Sequence, residues 1–303
     1  MKIKMLFLIL LALILTACGD SNCKNGEECN KLGWEYWNKE EFRKALKVFE
    51  KACNLENFEV CNTLQVFYKY GIGIQKDEQK AEKYYQKAFE LANKFCEKDD
   101  YKACYLLGRW YLVGLMVQKD ENKARNLFQK ACDLGDYLSC ESLGNIENSA
   151  FITTRQELEY YQKAFGFAKE ACEKDDYAAC FSLSTLYKKL GILEILGLNK
   201  YKIDEFYQKG FELAKKECLA GDYYKACNAL GLFYIDELGG LEDIPKAIEA
   251  FEKACNAYNR FTCLRLGTLY ENEKNIAKAK EYYQKACDLG FSFACKQLSN
   301  LED

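Results

Sequence analysis

The sequence predicts an all-α chain, an αα-hairpin repeat solenoid stapled by disulfides. A motif of the form Cys-x-x-Leu-Gly-x-x-Tyr recurs eight times, at intervals of 32 to 47 residues. The cysteines fall in pairs, and most pairs are eight residues apart. No stretch between the turns alternates apolar and polar residues as a half-buried strand does. Repeats of this period are typical of helical arrays in which each unit packs on its neighbours.

The N-terminus carries the features of an export signal. Met1-Lys-Ile-Lys4 is basic, the apolar run to Leu15 is too short to span a bilayer, and the run ends in Leu-Thr-Ala-Cys18. These last four residues resemble a bacterial lipoprotein box, whose cysteine becomes the acylated first residue of the mature chain. We therefore predict a lipoprotein signal peptide over residues 1–17, lipidation of Cys18 and a short tether over residues 18–22. An ordinary secretory signal and a buried helix are the alternatives.

Sixteen of the 17 cysteines can be grouped into eight pairs, which leaves only Cys18. A single helix would hold residues eight apart about 12 Å from each other, whereas the Cα atoms of a disulfide lie within about 4.4–6.8 Å. A bonded pair therefore requires a turn, and Gly135-Asp136, between Cys132 and Cys140, is a helix-stop and helix-cap signal. Exported chains keep their disulfides, and the spacings lack the close pairs of structural zinc sites, so no metal is expected. The predicted pairs are Cys23–Cys29, Cys53–Cys61, Cys96–Cys104, Cys132–Cys140, Cys172–Cys180, Cys218–Cys227, Cys255–Cys263 and Cys287–Cys295.

The cysteine motif predicts the first helix of each hairpin, which we call the A helix. The Leu and Tyr of the motif share a helix face with the cysteine, and the small residue after the Leu lets a partner helix approach closely. Leucine is present in every copy, whereas Gln65, Ser184 and Ser299 replace the glycine in three. The eight copies begin at Cys29, Cys61, Cys104, Cys140, Cys180, Cys227, Cys263 and Cys295.

The second helix of each hairpin, the B helix, carries an Ala-x-x-x-aromatic pattern and typically ends in Lys-Ala-Cys. Asp77 and Asp120 are predicted N-caps, and Pro245, the only proline, is predicted to lie in a first turn. Three B helices are longer by seven residues, about two turns. Their cysteine therefore stays on the same helix face but lies about 10.5 Å further along the helix axis. The longer helices run from Phe89 to Cys96, from Phe165 to Cys172 and from Phe211 to Cys218.

The two patterns together resemble the tetratricopeptide repeat, with Cys where that family has Trp. The loops at residues 70–77 and 113–120 look more specifically like Sel-one-like repeats. Cysteine pairs across each helix junction are similar to the Helicobacter cysteine-rich proteins, the exported branch of that group. The resemblance covers residues 23–303. It implies a single right-handed superhelix of about seven repeats plus a C-terminal capping helix, with the A helices on the concave side.

The sequence leaves the question of enzyme activity open and leans against it. Some members of the resembled family are described as penicillin-binding proteins with weak β-lactamase activity. Serine β-lactamases need a Ser-x-x-Lys nucleophile with Ser-Asp-Asn and Lys-Thr-Gly partners. Here only Ser21 and Lys24 fit the first pattern, and the partner motifs are absent. We predict no catalytic residue and no cofactor, since the chain also has no histidine to act as a base.

The charge pattern does not indicate a nucleic-acid partner. After residue 17, 41 basic and 46 acidic residues remain, and the two signs are interspersed. Neither a nucleic-acid footprint nor a polybasic membrane patch is visible. We therefore expect contact with the membrane through the lipid anchor only.

The residues one and five places after each motif cysteine vary while the Leu and Tyr positions repeat. This contrast favours a ligand-binding groove over a merely solvated face. Aromatic residues are costly to expose without a ligand, and asparagine or arginine can bond a peptide backbone or a carboxylate. The predicted groove residues are Asn62, Tyr105, Arg109, Phe181 and Asn228.

These patterns together predict an exported, lipid-anchored envelope protein that binds a protein or an extended peptide. A penicillin-binding protein or weak β-lactamase with a cell-wall-related ligand is the first alternative. A secreted, host-interacting factor is the second. Both the periplasmic and the surface side of the envelope fit the sequence.

Overall fold

The structure is a computed structural model. It describes residues 23–115, 117–146, 154–190, 200–220, 224–236, 243–256 and 260–301. Over these residues the chain forms fifteen α-helices and no strand. The A helices are α1 (Gly26–Asn38), α3 (Phe58–Tyr70), α5 (Tyr101–Val113), α7 (Tyr137–Ile146), α9 (Tyr177–Leu190), α11 (Tyr224–Ile235), α13 (Arg260–Asn272) and α15 (Ser292–Asn300). The B helices are α2 (Phe42–Asn54), α4 (Glu78–Glu97), α6 (Glu121–Asp133), α8 (Arg155–Glu173), α10 (Lys200–Leu219), α12 (Ile244–Asn256) and α14 (Ile276–Asp288).

Each helix packs on the next one along the chain, so that α1 to α14 form seven antiparallel hairpins and α15 follows the last. The prediction of an all-α hairpin solenoid is confirmed. The longer B helices are confirmed as well, since α4, α8 and α10 have 20, 19 and 20 residues. The other B helices have 13 residues.

The small residue of the motif lets the two helices of a hairpin come close together. In α5, a Cβ added to Gly108 would lie within 3.0 Å of the Phe128 ring of α6. Equivalent glycines face the aromatic residue of their own B helix in four other hairpins: Gly33 and Phe49, Gly144 and Tyr161, Gly231 and Phe251, Gly267 and Tyr283. The glycine and the aromatic residue therefore form one packing unit, which explains why both recur in the sequence.

A disulfide joins each B helix to the following A helix, and Cys23–Cys29 joins the residues before α1 to that helix. The eight disulfides join the eight cysteine pairs grouped by spacing, with Cα atoms 4.7 to 5.1 Å apart. In five of the turns the residue three places after the B-helix cysteine has a positive φ: Glu56, Asp99, Gly135, Asp175 and Gly290. The two backbones therefore reverse direction within the reach of one disulfide bond.

Helix starts agree with the capping signals of the sequence. The carboxylates of Asp77 and Asp120 accept the backbone N–H of Lys80 and Lys123, each at 2.9 Å, which confirms both as N-caps. Pro245 is the second residue of α12, where a missing backbone N–H costs no helical hydrogen bond.

Tyrosines of neighbouring hairpins stack on each other and share a carboxylate. Tyr84 of α4 lies parallel to Tyr68 of α3 with ring centres 5.5 Å apart, and both hydroxyls donate to Glu50 of α2 at 3.0 Å. Tyr282, Tyr270 and Glu252 form the same arrangement near the C-terminus. These tyrosines therefore belong to the packing between hairpins.

Candidate functional site

The candidate site is the face of the A helices that carries the variable residues. The leucine of the motif is buried in six of the eight copies, from Leu64 to Leu266. The variable residue directly after each motif cysteine is half-buried in the seven copies from Asn30 to Leu264. Five places after the cysteine, Arg109, Asn145 and Thr268 are exposed. From α3 to α13, one face of each A helix thus closes the core, while the variable face is half-buried to exposed.

The accessible face continues from one repeat to the next through bonds between A helices. Thr262 of α13 donates from its hydroxyl to the Asn228 side-chain oxygen of α11, at 2.8 Å. Ser182 of α9 donates to Glu141 of α7, at 3.2 Å. Asn228 and Glu141 are therefore fixed in place, and the Asn228 amide NH2 remains a potential donor to a partner.

Tyr105 and Arg109 of α5 form the clearest cluster on this face. The Arg109 guanidinium lies 5.7 Å from the centre of the Tyr105 ring, and the ring itself packs 5.9 Å from Phe128. Burial raises the pKa of the Tyr105 hydroxyl, and the neighbouring Arg109 opposes that rise. The guanidinium is exposed, so this pair presents an aromatic surface and a cation together.

The next A helix adds polar groups to the same region. Burial raises the pKa of the Tyr137 hydroxyl, and the nearby carboxylates of Asp176, Asp136 and Glu141 raise it further. Asp136 is itself a buried cap of α7 that accepts the Ser139 backbone N–H at 2.9 Å. Burial raises the pKa of Asp136, and the bonds from Ser139 oppose this. Tyr137 and the carboxylates of Asp136 and Glu141 therefore lie near Tyr105.

The remaining predicted residues lie on other A helices, and one of them has a second role. Asn62 is half-buried on α3, and Phe181 is half-buried on α9. The Phe181 ring packs edge-on against Phe233 of α11, with ring centres 5.1 Å apart. Phe181 thus also holds adjacent repeats together. The structure brings Tyr105 and Arg109 into contact and distributes Asn62, Phe181 and Asn228 along the array.

Arg265 of α13 is a candidate that the sequence reasoning missed. The side chain is exposed to solvent, yet the pKa of its guanidinium is lowered by burial. The Arg265 side chain therefore reaches water while protein fills much of the volume around its guanidinium. Arg265 lies two residues after Cys263, next to the variable position that directly follows that cysteine. No other copy of the motif has arginine there, and this difference could have identified it from the sequence.

The described part of the chain shows neither a metal-binding cluster nor a membrane-spanning helix. No group of three or more His, Cys, Asp or Glu side chains there is arranged to hold a metal ion. None of the fifteen helices combines the length and the apolar character that a membrane span requires. The predicted signal peptide, Cys18 and Ser21 lie outside the described residues.

Known repeat families match several parts of the chain. The Sel1 repeat matches residues 59–93, 102–136 and 225–259. The tetratricopeptide repeat matches residues 29–58 and 262–289. No curated protein matches the chain with significant similarity.

Solved structures of Sel1-type proteins are similar to this chain at low sequence identity. A putative Sel1 repeat protein from Klebsiella pneumoniae is 20% identical, with a TM-score of 0.42, over 71% of this chain and 99% of that one. A Sel1 repeat protein from Oxalobacter formigenes is 22% identical, with a TM-score of 0.36, over 86% of this chain and 98% of that one. A protective antigen of uropathogenic Escherichia coli is 20% identical, with a TM-score of 0.35; the match covers 91% of this chain but only 64% of the antigen.

The matched repeats agree with the hairpins described above. Each Sel1 match begins near the start of an A helix and extends through most or all of the following B helix. The assignment to the Helicobacter cysteine-rich branch stays a prediction. The chain therefore carries Sel1 repeats, with tetratricopeptide repeats on either side of them.

Proposed function

We propose that this chain is an exported, lipid-anchored repeat protein whose A-helix face binds an extended protein or peptide segment. The observation that supports binding is the division of the A helices α3 to α13 into a buried, repeating side and a half-buried to exposed, varying side. Packing between repeats needs the first side to be uniform. A ligand with its own sequence of side chains would need the second side to vary.

The chemistry of the face suits a peptide. Asn62 and Asn228 offer amides to a peptide backbone, and Tyr105 offers a half-buried ring to an apolar side chain. Arg109 and Arg265 are exposed cations on the same set of helices, so they favour acidic side chains or a terminal carboxylate. A partner with acidic groups spaced between apolar residues is therefore expected.

Export is supported by the disulfides. Eight disulfides in one chain indicate an oxidising environment, because cytosolic thiols are kept reduced. Lipid anchoring is proposed from the sequence around Cys18 alone.

The test is affinity capture by cross-linking from envelope extracts, followed by binding measurements with the purified partner. Arg109→Ala should weaken binding of the partner at least tenfold, about 1.4 kcal/mol. The chain should stay folded, since the Arg109 side chain is exposed. Arg43→Ala removes an exposed arginine from B helix α2 and is the matched control. Loss of binding with Arg43→Ala but not with Arg109→Ala would place the partner on the B helices and overturn the proposal.

Phe181→Ala is a less selective test because this ring also contacts Phe233. We expect it to weaken binding at least tenfold, about 1.4 kcal/mol, and to lower stability as well. Binding by Phe181→Ala is therefore to be measured under conditions where circular dichroism shows the variant folded.

The enzyme alternative has its own test. Folded protein should hydrolyse a chromogenic β-lactam no faster than its Ser21→Ala variant. Turnover that a single substitution abolishes would show a catalytic site and displace the binding proposal.

A further inference from the structure

The turn between α14 and α15 is covered, whereas the equivalent turns after α2 and α6 are open. Leu289 lies two residues after Cys287 and is 8% exposed. Leu55 and Leu134, at the same place after Cys53 and Cys132, are 42% and 39% exposed. Complete hairpins follow the turns of Leu55 and Leu134, yet both leucines stay exposed. The repeat that follows a turn therefore does not explain why Leu289 is buried. Another part of the molecule must lie over Leu289.

The end of α3 is what lies against this turn. A Cβ built on Gly290 would overlap the ring of Tyr70, the last residue of α3. The Arg260 guanidinium, at the start of α13, lies 5.5 Å from the centre of the same ring. Arg260 also lies 5.2 Å from the Phe261 ring and 5.9 Å from the Phe291 ring. Tyr70 is thus held between the backbone of one turn and a cation of the last repeats.

The buried core shows the same connection. Apolar residues of the first hairpins, including Ile72, belong to one continuous cluster with residues of the last hairpins, including Leu289 and Ala294. The middle of the chain forms two separate clusters, one from Ala124 to Ile203 and one from Tyr207 to Ala254. The two ends of the array therefore share a core that bypasses the middle repeats.

Backbone conformation does not explain the glycine at residue 290. Gly290 has φ of 79°. Glu56, Asp99 and Asp175 adopt φ of 64°, 64° and 68° at the same place in their turns. A side chain is therefore tolerated there by the turn itself. The close approach of Tyr70 is what requires glycine at residue 290.

We infer that the solenoid closes on itself, with the Tyr70 end of α3 docked on Arg260 and Gly290 of the last hairpins. This contact, which we call the closure contact, joins parts of the chain that are far apart in sequence. The inference does not depend on the identity, or the existence, of a partner.

The main test compares two turn glycines by small-angle X-ray scattering of the full chain. Gly290→Glu introduces the residue found at position 56, and its side chain collides with Tyr70, so the radius of gyration should increase. Gly135→Glu is the matched control, because an added Cβ there meets only Phe167 at an ordinary 3.8 Å. Its scattering should match the wild type. Identical scattering from wild type and Gly290→Glu, with helicity retained, would overturn the inference.

A second measurement covers the case in which Gly290→Glu fails to fold. Tyr70→Ala and Arg260→Ala should each lower the unfolding midpoint, and the double variant should lower it by less than the sum of the two, since both act on one contact. Additive losses would contradict a contact between the two residues in solution.

Discussion

At the residue scale, the recurring glycine of the A helix is explained by the aromatic residue it faces. Glycine inside a helix costs stability because it loses more backbone freedom than alanine does on folding. The chain retains it at Gly108 because the Phe128 ring occupies the space that a Cβ would need. Gly166 of α8 is different, since nothing lies within 4 Å of a Cβ built there. The two sites therefore make opposite predictions for the same substitution.

Gly108→Ala should destabilise the protein by about 1–3 kcal/mol, because it overpacks a close helix contact. Gly166→Ala should stabilise it by about 0.8–1 kcal/mol, the difference in helix propensity. Both are measured as shifts in the free energy of unfolding by denaturant. If Gly108→Ala gains stability like Gly166→Ala, the proposed glycine–aromatic packing unit is wrong.

Buried tyrosines predict a loss of stability at high pH. Burial raises the pKa of Tyr85, Tyr161 and Tyr283 to about 12, from an ordinary value of 10.0. In the unfolded chain these hydroxyls lose their protons near pH 10, while in the folded chain they stay neutral until near pH 12. The unfolded state therefore binds fewer protons over this interval, and the free energy of unfolding falls as the pH rises.

Denaturant titrations should accordingly give a constant free energy of unfolding up to about pH 9 and a decrease between about pH 10 and about pH 12. Tyrosinate absorbance provides the independent readout, since part of the tyrosine should ionise only on unfolding. A stability that rises over this interval would contradict the assigned direction of the pKa shifts.

At the element scale, the junction between a B helix and the next A helix is the most strongly determined feature. It combines a residue with positive φ, an N-cap and a disulfide within about ten residues. Lysines of the following B helix add ion pairs to the acidic turn residues. Lys94 meets Glu56 at 2.7 Å, and Lys130 meets Asp99 at 2.9 Å. These pairs are solvent-exposed, so they help to set the register of neighbouring repeats more than they stabilise the fold.

Removal of one central disulfide should weaken the array without abolishing it. Cys132→Ala combined with Cys140→Ala should lower the free energy of unfolding by about 2.5 kcal/mol, the loop-entropy value for a loop of this length. Far-UV circular dichroism should change little, because the neighbouring hairpins still pack on both sides. Complete loss of helicity would show that this disulfide is required for folding and is more than a local cross-link.

At the scale of the whole molecule, the proposed export route would account for both the disulfides and the predicted lipid anchor at Cys18. Cys18→Ala should prevent lipidation, and it should either release the protein from membranes or trap the uncleaved precursor. Membrane fractionation and the mass of the N-terminal peptide measure the two outcomes. The wild-type protein is the control. Its stable retention in membranes would require several acyl chains, as lipoproteins carry, because one chain alone anchors a protein only marginally. Unchanged partition and mass in the variant would show that Cys18 is not the anchor.

The sequence by itself determined the helices, their order and their pairing. Cysteine spacing, capping residues such as Asp77 and Asp120, and the periodic Leu and aromatic positions are local signals, and each acts within one hairpin or between adjacent ones. This is why the A and B helices and the cysteine pairs could be predicted from residue spacing. The variable row could be placed on one helix face by the same reasoning, because helical periodicity alone decides which residues share a face.

Only the tertiary structure decided the contacts that depend on how successive hairpins are rotated against each other. It showed that Phe181 packs on Phe233, and that protein surrounds much of the exposed Arg265 side chain. It also brought Tyr70 onto Arg260 and Gly290. Small rotations between successive repeats add up along a solenoid. Contacts between distant repeats therefore follow from the sum of those rotations, and no single motif in the sequence encodes that sum.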